Sequence, residues 1–175
     1  MFQVNDRIVY GTHGVCMVTA IGKLAMSMAD KQKQYYTLCP IYQHDAMIYV
    51  PVDNHKVNMR SVLTREKAEA LIEEIPEIET IWIANERERE VQYKEALLSC
   101  DCRELIKIIK TLYQRKKARV RDGKKVAAVD ERYFKQAEEQ LYGELAYVLE
   151  MEREEVEPYI TERMMKKSCS SREGK

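Results

Sequence analysis

The sequence has 175 residues, which is room for one ordinary domain or two small ones. The composition, with 45% hydrophobic and 33% charged residues, argues against a disordered chain. No apolar run approaches the roughly 20 residues of a membrane-spanning helix, which argues against a membrane protein. The formal net charge is zero. The N-terminus lacks a secretory pattern, so we expect a cytoplasmic protein.

Short β-prone runs dominate the first third of the chain. Runs rich in β-branched and aromatic residues are separated by turns that contain glycine or proline, such as Gly11, Gly14 and Pro51. Four or five such strands favour a small, strongly bent sheet or an SH3/Tudor-like β-barrel, because so short a chain cannot easily build two packed sheets. The predicted strands cover residues 8–10, 15–21, 34–38 and 47–50.

Helical periodicity follows from about residue 64. Thr64 can cap a first helix, and Pro76 marks its end. Asp101, with Glu104 three residues later, resembles a capping box in front of an apolar stripe, and this helix is predicted to end at a turn over 121–123. The first helix is predicted over residues 66–72, and the remaining ones cover residues 78–98, 130–149 and 153–164.

These elements predict an α+β fold in which a small SH3/Tudor-like β-barrel precedes an all-α helical domain. The pattern changes near residues 60–64, where we place the boundary. The predicted organisation is a β-barrel domain at 1–62, a helical domain at 63–165 and a mobile tail at 166–175.

Positive charge is concentrated in one part of the chain although the total is zero. From Arg103 to Lys125 the sequence has ten basic residues and two acidic ones, and seven of the cations lie within 115–125. Such a cluster can bind nucleic-acid phosphates without sequence preference and with strong salt dependence. The alternative is an ordinary solvated helix end, where cations interact favourably with the helix dipole.

The five cysteines follow no spacing that is typical of a zinc or redox site. We therefore expect reduced thiols, no metal and no cofactor. An alternative is a hydrolase or redox protein that uses Cys100 or Cys102, which requires a reactive thiolate at neutral pH. The sequence contains no phosphate-binding glycine loop, nucleophile elbow or metal-binding helix pair, so we expect a protein that is not an enzyme.

Several short motifs occur in an order that is specific when they are taken together. They are Asp6 with Ile8-Val9-Tyr10 and His13-Gly14, then Val50-Pro51 with Arg60, then Ser99-Cys100-Asp101, then Thr111-Leu112-Tyr113, and last Gly143-Glu144-Leu145-Ala146. Through them nearly the whole chain resembles the CarD/CdnL family of bacterial RNA polymerase-binding regulators. The N-terminal module of that family also occurs in transcription-repair coupling factors.

The resemblance implies two partners. An edge strand of the β module is expected to pair with a lobe of the RNA polymerase β subunit, and the helical domain to contact promoter DNA at the upstream edge of the melted bubble. The protein would then stabilise the open complex and associate with the nucleoid through polymerase. We expect no membrane and no small-molecule substrate. The alternative is a protein adaptor on polymerase that does not bind DNA directly.

Both interfaces can be assigned candidate residues. The residues expected at the polymerase are Met47, Ile48, Tyr49, Val50 and Pro51. The residues expected at DNA are Trp82, Arg87, Arg89, Arg115, Lys116, Lys117, Arg119, Lys124 and Lys125.

Two positions depart from the family's pattern. Family members carry a tryptophan that wedges into the minor groove before a basic pair, but here an ungapped alignment places Glu86 at that position, and Glu88 and Arg89 at the pair. The only tryptophan, Trp82, lies four residues earlier, about one helical turn, so it either presents on the same helix face or packs in the core. Tyr49 stands where some members have an arginine before Val-Pro.

Overall fold

The computed structural model describes residues 1–27, 29–43 and 45–170, with side chains as far as residue 166. Residues 171–175, which belong to the segment predicted as a mobile tail, lie outside the described residues. Residues 166–170 of that segment belong to the last helix of the chain.

Five antiparallel strands form one sheet in the first third of the chain. The strands are β1 (Arg7–Tyr10), β2 (Val15–Gly22), β3 (Tyr35–Pro40), β4 (Ile48–Pro51) and β5 (Met59–Ser61). Their order in the sheet is β4-β3-β2-β1-β5, so β4 and β5 are its edge strands. The register of β2 against β3 shifts between Val18 and Ala20, and an irregularity of this kind bends a sheet. One face of the sheet buries Ile8, Cys16, Val18, Tyr36, Leu38 and Val50.

Five α-helices follow the sheet. The helices are α1 (Arg65–Glu74), α2 (Glu86–Leu98), α3 (Cys102–Arg121), α4 (Ala128–Leu149) and α5 (Arg153–Ser170). Thr64 caps α1 by accepting a hydrogen bond from the Lys67 N–H, and Asp101 caps α3 by accepting one from the Arg103 N–H. The predicted α+β fold, with a small β unit ahead of a helical one, is confirmed.

The helix predicted over 78–98 is wrong in its first part. The helix α2 begins only at Glu86, where the Asn85 side chain accepts a hydrogen bond as N-cap. The chain before it is held against α3, because the Ile81 N–H donates to Thr111 Oγ1 over 2.9 Å. A tertiary hydrogen bond and a strong cap therefore override the helical pattern of this segment.

The helices share one hydrophobic core. Every helix contributes at least one fully or nearly fully buried side chain, as Leu71, Leu97, Ile108, Leu145 and Val156 illustrate. A smaller cluster joins this unit to the sheet, because Cys100, just before α3, packs with Val9 and Val15. The two units are therefore in direct apolar contact.

A buried ion pair also connects the sheet to the helices. Arg60 of β5 donates to both carboxylate oxygens of Glu144 in α4, over 2.6 and 2.7 Å. The same carboxylate accepts the Leu63 N–H over 2.9 Å, and Cys102 Sγ lies 3.1 Å from it. The Glu144 side chain is only 3% exposed. We call this contact the Arg60–Glu144 joint.

Candidate functional site

The basic end of α3 is closed by a glycine turn. Gly123 has a φ of +70°, a conformation that glycine adopts at little cost. The Lys124 N–H donates to the Arg119 carbonyl over 2.8 Å, and the Gly123 N–H donates to the Val120 carbonyl over 3.0 Å. This is a Schellman arrangement, so the turn predicted over 121–123 is confirmed. It brings Lys124 back beside the last turn of the helix.

Two arginines of the basic run make structural contacts. Arg115 Nε lies 3.1 Å from Asp130 Oδ2 in α4, where both side chains are mostly buried. Arg119 Nε donates to the Lys125 carbonyl over 2.7 Å. These two arginines therefore fix the conformation of the basic end of α3. We expect them to contribute less to the binding of DNA phosphates than the sequence alone suggests.

Four lysines of the run are exposed. These are Lys116, Lys117, Lys124 and Lys125, which we call the lysine surface. None of them forms an ion pair with another residue of the described ranges, although the Lys117 ammonium lies 5.0 Å from the centre of the Tyr113 ring. Four exposed cations on one helix end are available to contact phosphate.

Trp82 is 89% exposed and lies outside any helix, between α1 and α2. The alternative that it packs in the core is wrong, and so is its predicted place one turn earlier on the same helix as Glu86. The physical reason is the late start of α2, which leaves the segment around Trp82 non-helical and pinned by Ile81 to α3. A large exposed aromatic ring on a pinned segment is available to a partner.

The two arginines of α2 differ in environment. Arg87 is exposed, whereas Arg89 is only 15% exposed, pairs with Glu86 over 3.3 Å and donates to the Ile83 carbonyl over 3.3 Å. Arg89 thus supports the segment around Trp82. At the two positions of the family's basic pair, this chain therefore has an acid, Glu88, and an arginine, Arg89, whose charge is already paired.

One cavity brings together three of the residues predicted at DNA. Trp82, Arg89 and Arg115 all line a cavity of about 250 Å³ between the segment before α2 and the helices α2 and α3. Tyr93, which sequence reasoning did not single out, lines it as well. Its only sequence signal was its place three residues before Ala96 on the apolar side of α2, where core tyrosines are common.

The Arg60–Glu144 joint was also missed by sequence reasoning. Glu144 follows Ala137 and Leu141 by seven and three residues, so it falls on the core-facing side of α4. A lone acid at such a position signals a buried partner. The sequence alone did not identify Arg60 as that partner.

The residues predicted at the polymerase lie on and beside edge strand β4. Met47 and Tyr49 are exposed, and the Tyr49 hydroxyl lies 3.8 Å from Met47 Sδ. Val50 points into the core of the sheet, so its side chain serves the fold. The exposed side chains here are therefore Tyr49 of β4 and Met47 just before it, beside the outer backbone edge of the strand.

Burial controls the chemistry of the cysteines. Burial, with a smaller contribution from Cys39, raises the pKa of the Cys16 thiol to about 12. The pKa of Cys100 is raised by burial, and that of Cys102 by burial and then by the charge of Glu144. These three thiols are therefore protonated at neutral pH, which disfavours thiolate chemistry.

Thiol alkylation tests this conclusion. In the native protein at neutral pH, Cys100 and Cys102 are expected to resist iodoacetamide, because each is buried and protonated, and to react once the chain is unfolded in denaturant. Peptide mass spectrometry measures the two positions separately, with the denatured sample as the control. Alkylation of either thiol in the native protein at the rate of a free cysteine would restore the hydrolase or redox alternative.

Two further properties concern the described residues as a whole. Residues 1–27, 29–43 and 45–170 contain no group of three or more histidine, cysteine or acidic side chains that could hold a metal ion. None of the helices in that part combines the length and apolar character that a bilayer crossing requires.

Comparison with known families identifies the part of the chain that forms the sheet. A family model described as the CarD-like/TRCF RID domain matches residues 2–63. The match covers all five strands and ends just before α1. It confirms the resemblance inferred from sequence for this part of the chain. Residues 2–63 therefore form a CarD-like/TRCF RID domain, the kind of module through which transcription-related proteins interact with RNA polymerase.

Proposed function

We propose that this chain is a bacterial transcription regulator without enzymatic activity. It docks on the RNA polymerase β subunit through β4 and contacts promoter DNA at the upstream edge of the bubble, where it stabilises the open complex. Its place of action is the cytoplasm, at the nucleoid. One observation carries the proposal: a polymerase-interacting domain is joined by a buried ion pair to a helical unit that exposes the lysine surface and Trp82.

The backbone of β4 supports docking by strand addition. The Val52 N–H donates to the Gln34 carbonyl beside β3, and hydrogen-bonding direction alternates along a strand. By this alternation the N–H of Val50 points to β3 and that of Tyr49 points outward. Pro51 then occupies an outward position, where a missing N–H breaks no bond within the sheet. Strand addition uses such outward groups, so the absence of an arginine at Tyr49 does not prevent it.

A pair of substitutions at Tyr49 tests this docking. Tyr49→Pro removes the outward N–H and is expected to weaken binding of the full chain to core RNA polymerase about tenfold, with a matching loss of its effect on open-complex lifetime. Tyr49→Ala keeps the backbone and is expected to change affinity by about twofold at most. Surface-immobilised polymerase gives the affinities, and competitor challenge gives the lifetime.

The result for the two variants can contradict the proposal. Equal losses for proline and alanine would assign the affinity to the tyrosine side chain instead of the strand edge. No binding of the unsubstituted chain to polymerase would reject the function itself. Thermal melting of both variants is the control for folding, because β4 lies at an edge and tolerates proline at outward positions.

The contact with DNA is supported by cations and an aromatic ring on neighbouring parts of the helical unit. Trp82 borders the stretch of α3 that includes Arg115 and Ala118, and the lysine surface begins at the next residue after Arg115. Lysines bind phosphates as point charges, and an exposed ring stacks on unpaired bases or wedges between base steps. Together they suit a junction between duplex and melted DNA.

Acidic residues at the start of α2 oppose this contact only in part. Glu86 is paired with Arg89, and Glu90 lies 3.2 Å from both Arg132 Nη2 and the Tyr133 hydroxyl. Glu88 remains exposed. We therefore expect weaker binding to DNA than in relatives that carry arginines at these positions.

The proposed effect on transcription is thermodynamic. A ligand that binds the open promoter better than the closed one shifts the equilibrium toward the open state without any chemistry. A difference of about 1.4 kcal/mol in binding free energy changes the open-to-closed ratio roughly tenfold. We expect the lysine surface and Trp82 together to supply a difference of this size.

A further inference from the structure

The segment that carries Trp82 has no regular secondary structure of its own. Residues 78–85, all of which the structure describes, form neither helix nor strand between the 3₁₀ turn Ile75–Glu77 and the start of α2. A segment of this kind opens easily, because few of its hydrogen bonds are internal. Ile81 and Ile83 are half-buried, and the Trp82 ring between them is exposed. The position of the ring therefore depends on contacts that hold the backbone from outside the segment.

Thr111 of α3 holds the middle of this segment with a hydroxyl that bonds in two directions. The Ile81 N–H donates to Thr111 Oγ1 over 2.9 Å, and the same hydroxyl donates to the Lys107 carbonyl over 2.7 Å. Because its proton is directed to Lys107, the oxygen is left to accept the Ile81 N–H. Thr111 is only 6% exposed, so water competes little for this bond. The residue next to Trp82 is thereby fixed to α3.

Lys110, the residue before Thr111, holds the start of the same segment. Its ammonium donates to the carbonyls of Ile75, Pro76 and Ile78, the first two over 2.8 and 3.4 Å. These carbonyls follow the end of α1, where a chain that leaves a helix has carbonyl groups without helical partners and favours a cation. An ammonium group has three donors, so one lysine can bond all three carbonyls.

The helix that holds this segment also carries the lysine surface. Lys116 follows Thr111 by five residues, a rise of about 7.5 Å along α3. On the other side of Trp82, Arg89 of α2 donates to the Ile83 carbonyl over 3.3 Å. The backbone beside the ring and the first lysine of that surface are therefore attached to one helix, at a spacing that does not depend on DNA.

We propose that Thr111 and Lys110 are positioning residues, which tie the backbone of residues 75–81 to α3 and so hold Trp82 at a fixed place relative to the lysine surface. For its consequence at DNA, the inference rests on the proposed function. A group that is already in place loses less freedom when it binds. If the loosened segment is correctly placed in about a fifth of the molecules, the apparent affinity of the contact falls about fivefold.

The first arm of the test uses the full chain without DNA and compares Thr111→Val with Thr111→Ser. Valine keeps the size of threonine but cannot accept a hydrogen bond, whereas serine keeps the hydroxyl. In Thr111→Val we expect the Ile81 amide to exchange with solvent about tenfold faster, as measured by NMR. The fast part of the fluorescence anisotropy decay of Trp82, the only tryptophan, is expected to grow as well. Thr111→Ser is expected to resemble the unsubstituted chain in both measurements.

The second arm measures affinity for fork-junction DNA and for a fully paired duplex of the same length. Thr111→Val is expected to weaken binding to the fork about fivefold, because the ring is no longer held in place. Its affinity for the duplex is expected to change by less than about twofold, because the lysine surface is unchanged. Thr111→Ser is expected to restore the preference for the fork. A general weakening of α3 would instead lower both affinities together.

Lys110→Met provides a second, independent variant with its own matched control. Methionine keeps most of the apolar stem of lysine and removes the ammonium that bonds the three carbonyls. Lys107→Met removes the same charge from the same helix, but the Lys107 ammonium pairs with Glu104 within α3, over 2.6 Å. We expect Lys110→Met alone to reduce the preference for the fork. Thermal melting checks the fold, and Lys110→Met decides the question if Thr111→Val does not fold.

Several results overturn the proposal. Unchanged Ile81 exchange and Trp82 anisotropy in Thr111→Val would mean that the hydroxyl does not hold the segment. A faster exchange with an unchanged preference for the fork would mean that the position of the ring is irrelevant to DNA, and so would an unsubstituted chain without that preference. If the unsubstituted chain binds neither DNA, the proposed function is rejected, while the first arm still decides whether Thr111 positions Trp82.

Discussion

Replacing Glu144 with alanine is expected to lower the free energy of unfolding by about 3–5 kcal/mol, the usual cost of removing one partner of a buried ion pair. The carboxylate accepts two hydrogen bonds from Arg60 and one from the Leu63 N–H. Without it, the Leu63 N–H loses a buried acceptor and the Arg60 charge, only 30% exposed, loses its counterion. Chemical denaturation of the full chain measures the change.

The same helix supplies a matched control. Glu139 of α4 is exposed and faces Lys135 at 4.0 Å, so Glu139→Ala is expected to change stability by less than about 0.5 kcal/mol.

Arg60→Ala completes a double-mutant cycle with Glu144→Ala. We expect the double variant to cost much less than the sum of the single ones, because either substitution alone already breaks the pair. Additive costs would mean that the joint contributes nothing.

The joint also predicts how the chain unfolds. It connects β5 to α4 next to the apolar cluster of Val9, Val15 and Cys100. With an ion pair and a shared core across the contact, the sheet and the helices should unfold in one transition. In Glu144→Ala the small apolar cluster remains together with hydrogen bonds such as that of the Tyr42 hydroxyl with the Gly143 carbonyl, so we expect one transition that is visibly broader.

The elements that sequence predicted well are those with local signals. Thr64 and Asp101 cap their helices with side chains that act within three residues, and Gly123 ends α3 with its own backbone conformation. The strands alternate with turns for equally local reasons. Such signals can be read without knowledge of the rest of the fold.

The elements that sequence predicted poorly depend on distant partners. Trp82 is exposed because the Ile81 N–H bonds Thr111, thirty positions further along the chain, and because Asn85 starts α2 late. The hydrogen bond to Thr111 is not visible in the helical pattern over 78–98, whereas Asn85 is a local capping signal that the prediction overlooked. Propensity describes the isolated segment, whereas the outcome was decided by α3.

Long-range contacts also explain what was missed in the candidate site. The Arg60–Glu144 joint spans 84 positions, and the cavity under Trp82 combines α2, α3 and the segment between α1 and α2. The basic run was visible in sequence, but the division between Arg115 and Arg119, which make structural contacts, and the exposed lysines was not. That division rests on Asp130 and on the carbonyl of Lys125, which only the fold brings to Arg115 and Arg119.

The division of the basic run determines which substitutions test DNA binding. Replacing the lysine surface with glutamine (Lys116, Lys117, Lys124 and Lys125) removes four exposed charges and leaves Arg115 and Arg119 to hold the α3 end. At about 0.1 M salt, affinity for fork-junction DNA is expected to fall about 10²- to 10³-fold. The slope of log affinity against log salt should become shallower by about 3–4. Fluorescence anisotropy over a series of salt concentrations measures both.

A second quadruple variant separates local contacts from net charge. Glutamine at Lys23, Lys31, Lys56 and Lys67 changes the total charge equally but leaves the end of α3 untouched, so it is expected to reduce affinity by less than about fivefold. Equal effects of the two variants would mean that DNA responds to overall charge. No measurable binding of the unsubstituted chain to this DNA would favour the adaptor alternative, because polymerase tethering can raise the local concentration of a DNA contact only if that contact exists.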